Sequence, residues 1–215
     1  MFKSIQWKTF PRDFLIIQFG FALFGLSLAL MIRGNLGTGA WSVLEVAISQ
    51  RTGLTPGTLT VIVGFTVLVI AMALGEPVGW GTLFNILFIG PWEDLFLWLI
   101  PSVHGALLLQ AVMLLGSVAV QGVASAVYIG VNAGAGPRDS LMLAVQRASR
   151  LSLRVARGII EVGVFFLGWA LGGPAGVGTL VFAVLIGPAV QRAFHLFRVQ
   201  VHDSGADAAA EAGAE

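Results

Sequence analysis

The stretch ALGEPVGWGTL at residues 73–83 recurs 97 residues later as ALGGPAGVGTL at residues 170–180. The same offset aligns the chain without a gap over residues 35–91, where 19 of 57 positions are identical to their partners. Repetitive apolar sequence alone does not reproduce a skeleton of glycines and prolines, because these residues mark particular turns and helix ends. The chain is therefore predicted to consist of two copies of one structural unit.

The composition places both copies in a membrane. Of the 215 residues, 57% are hydrophobic and 11% are charged, whereas soluble domains carry about 25% charged residues. A net charge of +1 offers no basic surface to nucleic acid, and the absence of Cys removes disulfides, thiol nucleophiles and Cys-based metal sites. These features exclude a soluble enzyme, a disordered chain and a nucleic-acid binder, and they predict a polytopic membrane protein.

Six apolar segments have roughly the length of a membrane-spanning helix, about 20 residues. They are residues 13–33, 56–74, 79–100, 104–131, 153–171 and 176–197. Two further segments, residues 40–52 and 137–150, are too short and too polar to span, and they are predicted to be interfacial or re-entrant half-helices. The predicted fold class is all-α, with three spans and one half-helix in each copy.

Three spans in each copy give the repeat an inverted topology. Because three is odd, the second copy enters the membrane from the opposite side, and a pseudo-two-fold axis in the membrane plane relates the two copies. The arginines agree with this arrangement, since the loop after the first span carries Arg33 and Arg51 whereas its counterpart carries five arginines. A parallel repeat with one missed or falsely assigned span is the alternative.

The basic residues predict the orientation. With the N-terminus inside, ten of the twelve Lys and Arg residues lie on the cytoplasmic side, and the positive-inside rule gives N-in and C-in. The predicted organisation is a cytoplasmic segment at 1–12, repeat one at 13–100, repeat two at 104–197 and a disordered acidic tail at 198–215.

The Asn-x-Gly-x-Gly loops before the two half-helices are the first candidate for a binding site. The candidate residues are Asn35, Gly37, Gly39, Asn132, Gly134, Gly136, Arg138 and Asp139. Irregular backbone within a membrane is tolerated where it is buried in protein or lines a wet cavity, and the start of a half-helix attracts anionic groups. A substrate or ion site is one interpretation of these loops. The alternative is structural, because a carboxylate such as Asp139 stabilises the first turn of a helix.

Two Gly-Pro pairs, Gly90-Pro91 and Gly187-Pro188, interrupt the last span of each copy at matching positions. Each proline removes one helix hydrogen bond and clashes with the carbonyl four residues before it, so these pairs are predicted kinks that act as hinges or as a cavity wall. Paired interruptions of this kind are the best sequence indication of a transporter site. A role in helix packing alone is the alternative.

Glu161 and Glu45 are two further carboxylates whose position bears on function. Glu161 lies inside the fifth span, four residues after Arg157; it is a candidate proton carrier, and a surface ion pair with Arg157 is the alternative. Glu45, in the first half-helix, is expected at the membrane interface. No catalytic or metal-binding motif is present in the sequence, and we expect no enzyme activity, no cofactor and no metal.

The chain resembles the YczE/YyaS/YitT-type bacterial integral membrane proteins over about residues 15–197. Three motifs carry the resemblance: NAGAGPRDSLM at 132–142, Gly172-Gly173-Pro174, and GVGTL at 176–180. The first copy departs from it at Ala40 and Ser42, where Pro and Asp are expected, so Asp139 has no acidic counterpart. The resemblance implies a multi-pass protein of the bacterial inner membrane and indicates little about its activity.

Together, these features predict a small secondary-type transporter or exporter with a site between the two repeats. Its expected partners are the lipid bilayer and an unidentified small molecule or ion, with no nucleic acid, and the small size of the chain suggests a homodimer. A non-transporting membrane scaffold or regulatory subunit is the rival class. A polar, water-accessible cavity between the repeats favours transport, whereas a solid apolar interior favours a scaffold.

Overall fold

The computed structural model describes residues 9–76, 79–131, 133–134 and 136–199. Within them the protein forms eight α-helices and no strand. The helices are α1 (Phe10–Gly34), α2 (Ala40–Thr52), α3 (Pro56–Ala73), α4 (Trp80–Leu99), α5 (Leu107–Ile129), α6 (Pro137–Ser149), α7 (Leu153–Ala170) and α8 (Val177–Phe197). The predicted all-α class is confirmed, and α2 and α6 are the two short helices.

Local sequence signals explain where several helices begin and end. The hydroxyls of Thr55 and Ser152 accept hydrogen bonds from backbone N–H groups three residues further on, which caps the starts of α3 and α7. Gly75 (φ 85°) and Gly172 (φ 84°) follow the ends of the same two helices. Their left-handed backbone terminates the helix, and glycine adopts it at low cost because it lacks a Cβ.

The helix bounds repeat with the offset present in the sequence. α6 and α7 begin and end 97 residues after α2 and α3, and α5 and α8 begin 97 residues after α1 and α4. Helix packing is paired in the same way, since α1 packs on α4 as α5 packs on α8, and α2 packs on α7 as α6 packs on α3. α1 also packs against its own counterpart, α5. The duplication is therefore a property of the fold as well as of the sequence.

One helix pair departs from this symmetry. α3 packs closely against α4, whereas their counterparts α7 and α8 do not. At Gly57 in α3, an added Cβ would overlap the backbone carbonyl oxygen of Gly90 in α4, and a Cβ on Gly90 would overlap that of Gly57. Gly187 is the counterpart of Gly90, and no neighbouring atom of the described residues lies within 4 Å of where its Cβ would be. The α7–α8 side is therefore open where the α3–α4 side is closed.

Four of the described helices, α1, α3, α5 and α8, are long and apolar enough to cross a membrane. The other two long helices, α4 and α7, are not among these four. α7 contains Arg154, Arg157 and Glu161, and α4 contains Glu93 and Asp94 together with three tryptophans. With the apolar composition of the chain, these helices define a polytopic α-helical membrane protein.

Both predicted terminal segments lie partly outside the described residues. α1 begins at Phe10, three residues before the predicted start of the first span, and residues 1–8 are not described. Arg198 ends α8 with a left-handed backbone (φ 52°), and the predicted tail beyond Val199 lies outside the described residues.

Candidate functional site

A cavity of about 420 Å³ lies among the helices, and side chains from all eight helices line it. The cavity is partly enclosed and its wall is mostly apolar, with Phe24, Phe165 and Phe182 among the aromatic side chains. α7 and α8, the pair that does not pack together, contribute ten of the lining residues. A volume of this size suits a small organic molecule.

Both half-helices begin at this cavity. Gly39 and Gly136 are the N-cap residues of α2 and α6, and both have an extended backbone with a φ of −62°. The first turns that follow, residues 40–42 and 137–139, also line the cavity. Because the first N–H groups of a helix have no intrahelical partner, each start is an electropositive end that favours polar groups. The structure thus brings one part of each predicted loop to the same cavity.

Arg138 links the two half-helices. Its Nη2 donates to Oε1 of Glu45 in α2 over 2.5 Å, and its guanidinium carbon lies 5.0 Å from the centre of the Trp41 ring. Arg138 and Trp41 occupy equivalent positions in the two copies. Glu45 is fully buried in the protein, which sequence reasoning did not foresee, and its position at the membrane interface stays a prediction. A buried carboxylate requires a charged partner, and Arg138 provides it.

A second buried carboxylate, Glu93 in α4, lies near this ion pair. The Thr60 hydroxyl of α3 donates to Oε2 of Glu93 over 2.7 Å, and Glu45 and Arg138 act on Glu93 electrostatically. Glu45 and Glu93 are both 0% exposed. One oxygen of each, Oε2 of Glu45 and Oε1 of Glu93, has no hydrogen-bond partner among the described residues. We call Glu45, Thr60, Glu93 and Arg138 the buried carboxylate cluster.

Asp139 contributes a carboxylate to the cavity from the first turn of α6. It forms a side-chain hydrogen bond with Tyr128 of α5, whose ring also lines the cavity. Its counterpart in the first copy is Ser42, which is buried at the start of α2. A carboxylate in this turn stabilises the helix start whether or not a ligand binds beside it. The position is therefore compatible with both predicted roles of Asp139.

Arg157 and Glu161 form an ion pair along α7, with Nε of Arg157 2.8 Å from Oε1 of Glu161. Both residues line the cavity, and their side chains are 53% and 39% exposed. The i,i+4 pair that was the alternative to a proton carrier is therefore formed. The proton-carrier interpretation of Glu161 is untested by this pair, and the pH profile of transport decides it.

Asn35, the first asparagine of the predicted site, is not among the residues that line the cavity. Asn35 ends α1 with a left-handed backbone (φ 52°), and its exposed side-chain amide donates to the Val103 carbonyl over 3.3 Å. It therefore joins the end of α1 to the loop before α5. Asn132 lies outside the described residues.

Two further residues of the predicted site, Gly37 and Gly134, hold the loops against other helices instead of lining the cavity. A Cβ on Gly37 would lie 2.7 Å from the Gly176 nitrogen at the start of α8, and one on Gly134 would lie 3.0 Å from the Gly79 Cα before α4. Both have a positive φ, of 111° and 130°. Glycine is required at these positions for the close approach and for the backbone conformation.

The two Gly-Pro pairs lie inside continuous helices. Pro91 is within α4 and Pro188 is within α8, and both are exposed. None of Gly90, Pro91, Gly187 and Pro188 lines the cavity of about 420 Å³, so these pairs do not form its wall. Gly90 provides the close contact with α3 described above. The predicted role of the pairs as hinges stays a prediction.

Sequence reasoning missed Glu93 because it precedes Asp94 near the end of an apolar segment, a position typical of an exposed helix end. The signal that was present is helical spacing. Ile86, Ile89, Glu93 and Leu97 recur at intervals of three and four residues, and all four are buried. Asp94, one residue further, lies on a different part of the helix, where its Oδ1 accepts from the Gly57 N–H over 2.9 Å.

The fold and the cavity define a polytopic α-helical membrane protein with charged residues at an internal site. A family of unknown function, DUF6198, matches residues 11–195, and the chain belongs to this family. An uncharacterized protein of Haemophilus influenzae is 32% identical over 191 residues, which cover 87% of this chain and 84% of that protein.

Two Bacillus subtilis proteins are also similar to this chain. The uncharacterized membrane protein YczE is 30% identical over 187 residues, covering 85% of this chain and 82% of YczE. The uncharacterized protein YyaS is 26% identical over 186 residues, covering 81% of this chain and 92% of YyaS. The resemblance to the YczE/YyaS type is therefore confirmed. No solved structure shows a significant match to the chain.

Proposed function

We propose that the protein is a small secondary-type membrane transporter whose substrate site is the cavity between its two repeats. The observation that carries the proposal is that both half-helices begin at one partly enclosed cavity, whose wall includes Arg138 and Asp139. Discontinuous helices that meet at a common site are a recurrent means by which transporters hold polar groups inside a membrane. A scaffold needs only a packed interior, and charged groups in its centre would cost stability.

In the proposed topology, α1, α3, α4, α5, α7 and α8 are six spans, and α2 and α6 are half-helices. The two copies are inverted and both termini are cytoplasmic, in the inner membrane of a bacterium. The repeated helix bounds, the odd number of spans in each copy and the distribution of basic residues support this topology. Reporter fusions after residues 55 and 150 test it. The two fusions are expected on opposite sides, and a common side would contradict the inversion.

The unequal packing of the two helix pairs supports an alternating-access cycle. In the described conformation α3 and α4 are closed on each other through Gly57 and Gly90, while the cavity extends between α7 and α8. Because the two copies share their helix bounds and are related in sequence, we infer that the two arrangements can exchange. In the N-in orientation, α7 starts and α8 ends at the cytoplasmic side. The described conformation is then open toward the cytoplasm.

Ligand-dependent stabilisation of the purified protein tests the proposal, followed by transport in proteoliposomes. A library of small organic molecules is screened for compounds that raise the Tm of the wild-type chain. Such a compound at about 100 times its Kd adds about 2.7 kcal/mol to the free energy of unfolding. Ala183→Trp fills the cavity from α8 and is expected to abolish the effect, whereas Ala170→Trp, outside the cavity wall, retains it.

The transport assay separates the transporter from its rival class. A compound that stabilises the wild type and Ala170→Trp, but not Ala183→Trp, binds in the cavity. We expect such a compound to cross proteoliposome membranes faster with the wild type than with Ala183→Trp. A compound that binds in the cavity and is not moved would contradict transport and favour a regulatory subunit that senses a ligand.

A further inference from the structure

We propose that the buried carboxylate cluster binds one proton, and that this proton controls whether Arg138 is held by Glu45 or faces the cavity. The role of the proton in coupling rests on the proposed transport function. Proton binding itself does not depend on the transport function, because it is inferred from the charges and the burial of the cluster. The proton comes from water in the cavity and adds to a carboxylate oxygen, so no other bond forms or breaks.

The charges of the cluster do not balance without a proton. Glu45 and Glu93 are both 0% exposed, and the guanidinium of Arg138 is the cation beside them. With both carboxylates ionised the cluster carries one uncompensated negative charge in a region that excludes water. A buried charge of this kind is strongly disfavoured, and one proton makes the cluster neutral.

The hydrogen bonds leave a place for this proton. Glu45 uses Oε1 to accept from Arg138, and Glu93 uses Oε2 to accept from Thr60. The other oxygen of each carboxylate is buried and has no hydrogen-bond partner within the described part of the chain. An ionised carboxylate can only accept hydrogen bonds, whereas a protonated one also donates. A proton can therefore occupy either free oxygen without displacing a hydrogen bond that the cluster already makes.

The other charged groups on the surrounding helices have partners of their own, although Asp94 also acts electrostatically on Glu93 and Arg138 also acts on Asp139, which adds negative charge around the one guanidinium. Their interactions are Asp94 with the Gly57 N–H, Arg33 with the Leu97 carbonyl, Arg51 with the Leu171 carbonyl, Arg157 with Glu161, Arg147 with Glu76, Arg12 with Asp13, and Asp139 with Tyr128. Arg150 and Arg154 are exposed. Among the described residues, Arg138 is thus the cation available to both buried carboxylates.

The ligand chemistry favours a proton over a metal ion. The cluster offers two carboxylates and one hydroxyl, fewer oxygens than the six or more that Ca²⁺ takes, and the guanidinium beside them repels a cation. No group of three or more His, Cys, Asp or Glu side chains in the described residues is arranged to hold a metal ion. A proton needs a single carboxylate oxygen and tolerates the adjacent arginine.

Arg138 transmits the state of the cluster to the cavity. Its side chain is 25% exposed, lines the cavity, and lies over the Trp41 ring at the start of α2. When the proton is on Glu93, Glu45 is ionised and holds Arg138. When the proton is on Glu45, the guanidinium loses its carboxylate and faces the cavity, where the N–H groups at the start of α2 also favour an anion. Proton binding and the binding of an anionic group are therefore linked.

Infrared difference spectroscopy of the purified chain in detergent tests the proton directly. We expect the wild type at neutral pH to show the C=O stretch of one protonated carboxyl group in an apolar environment. Glu93→Gln and Glu45→Gln are each expected to abolish this band, because either change leaves one carboxylate opposite Arg138 and needs no proton. Glu76→Gln is the matched control, because Glu76 is paired with Arg147 away from the cluster, and it is expected to retain the band.

Tryptophan fluorescence gives an independent measurement that depends on the position of Arg138. We expect the tryptophan emission of the wild type to change with pH. This change is expected to be absent from the Trp41→Phe and Glu93→Gln variants. Trp98→Phe, which removes an exposed ring of α4, is expected to retain the change. Each variant is first compared with the wild type by gel filtration and circular dichroism, so that a misfolded variant is not scored.

The outcomes separate the proton site from the transport function. Absence of the carboxyl band from the wild type, its persistence in both Glu45→Gln and Glu93→Gln, or its loss in Glu161→Gln instead would each overturn the inference. A band that behaves as expected in a protein that moves no solute supports the proton site and contradicts the transporter. Transport by a wild-type protein that lacks the carboxyl band would support the transporter and contradict the proton site.

Discussion

Arg138 in the first turn of α6 and Glu45 in α2 form an ion pair across the two repeats, with 2.5 Å between Nη2 and Oε1. The two residues are separated along the chain by nearly the length of one copy. Their ion pair nevertheless joins the two half-helices that begin at the cavity. A motion of one repeat against the other must either carry this pair along or break it. The pair is therefore a natural place to measure both stability and conformational change.

The first prediction concerns the energy of this pair. Arg138→Gln leaves Glu45 buried without a cation, and we expect it to lower the free energy of unfolding by about 3 kcal/mol. Adding Glu45→Gln is expected to restore most of the loss, since no unpaired charge remains. Arg147→Gln is the control, because the Arg147 side chain is 56% exposed, and it is expected to cost at most about 1 kcal/mol. Equal costs for the two arginine variants in chemical unfolding would contradict the prediction.

The second prediction concerns the closed helix pair. Gly90→Ala is expected to destabilise the protein by about 1–3 kcal/mol, because its Cβ would overlap the Gly57 carbonyl of α3. Gly187→Ala is the matched control at the equivalent position before a proline, where the new Cβ meets open space. It is expected to be neutral or to stabilise by up to about 1 kcal/mol through helix propensity. Thermal unfolding in detergent compares the two, and a similar Tm for both would show that the asymmetry is absent in solution.

The third prediction uses the absence of Cys from the chain. A Cβ built on Gly64 of α3 lies 3.6 Å from the Ile86 Cβ of α4, within the range of about 3.5–4.5 Å found in disulfides. Gly64→Cys with Ile86→Cys is therefore expected to cross-link on mild oxidation. The equivalent pair of the second copy, Glu161→Cys with Ala183→Cys, faces the cavity from α7 and α8 and is expected to cross-link poorly.

The two cysteine pairs also report on alternating access. A compound that shifts the conformation should lower cross-linking of the first pair and raise that of the second in the same proportion. Equal cross-linking of both pairs under every condition would contradict both the asymmetry and the proposed exchange of the two arrangements.

The fourth prediction separates the two roles of Asp139. Asp139→Asn preserves the shape of the side chain and its ability to stabilise the helix start, but it removes the charge. We expect normal membrane insertion and at least about tenfold weaker ligand binding, which corresponds to about 1.4 kcal/mol. Full binding and transport by this variant would leave Asp139 with a structural role alone.

The fifth prediction concerns Glu161. Its side chain is 39% exposed and paired with Arg157, and exposed i,i+4 pairs contribute about 0.5 kcal/mol or less. Glu161→Gln is therefore expected to change stability little and to leave the pH profile of transport as in the wild type. A shifted or flattened pH profile would return the proton-carrier role to Glu161.

Much of the fold could be predicted because its signals are local. Thr55 and Ser152 cap helices, Gly75 and Gly172 end them, and the recurrence of such residues at a fixed offset revealed the duplication. These residues act on the few backbone groups beside them, so their effect can be inferred without knowing the rest of the chain. The pair between Arg157 and Glu161 was accessible for the same reason, since the two residues are one helical turn apart.

The site could be predicted only in part, because burial depends on which helices meet. The loops before α2 and α6 were recognised, but Asn35, Gly37 and Gly134 turned out to brace them instead of lining the cavity. Glu45 was expected at the membrane interface, and its burial inside the protein was not foreseen. Burial is tolerated because Arg138, distant in the sequence, supplies the opposite charge. The sequence around either residue gives no indication that the other is its partner.

The sequence by itself determined the membrane class, the all-α fold, the duplication and the ends of most helices, because composition and short-range hydrogen bonding decide these features. The tertiary structure decided which aligned positions of the two copies have the same surroundings. Gly90 is held against Gly57 and Gly187 is free, although both lie in the same Ile-Gly-Pro motif. It also brought Glu45, Glu93 and Arg138 together from three helices. Such a cluster is stable only when charged residues that are distant in the sequence meet away from water and compensate one another. No single segment of the chain contains the information that they will meet.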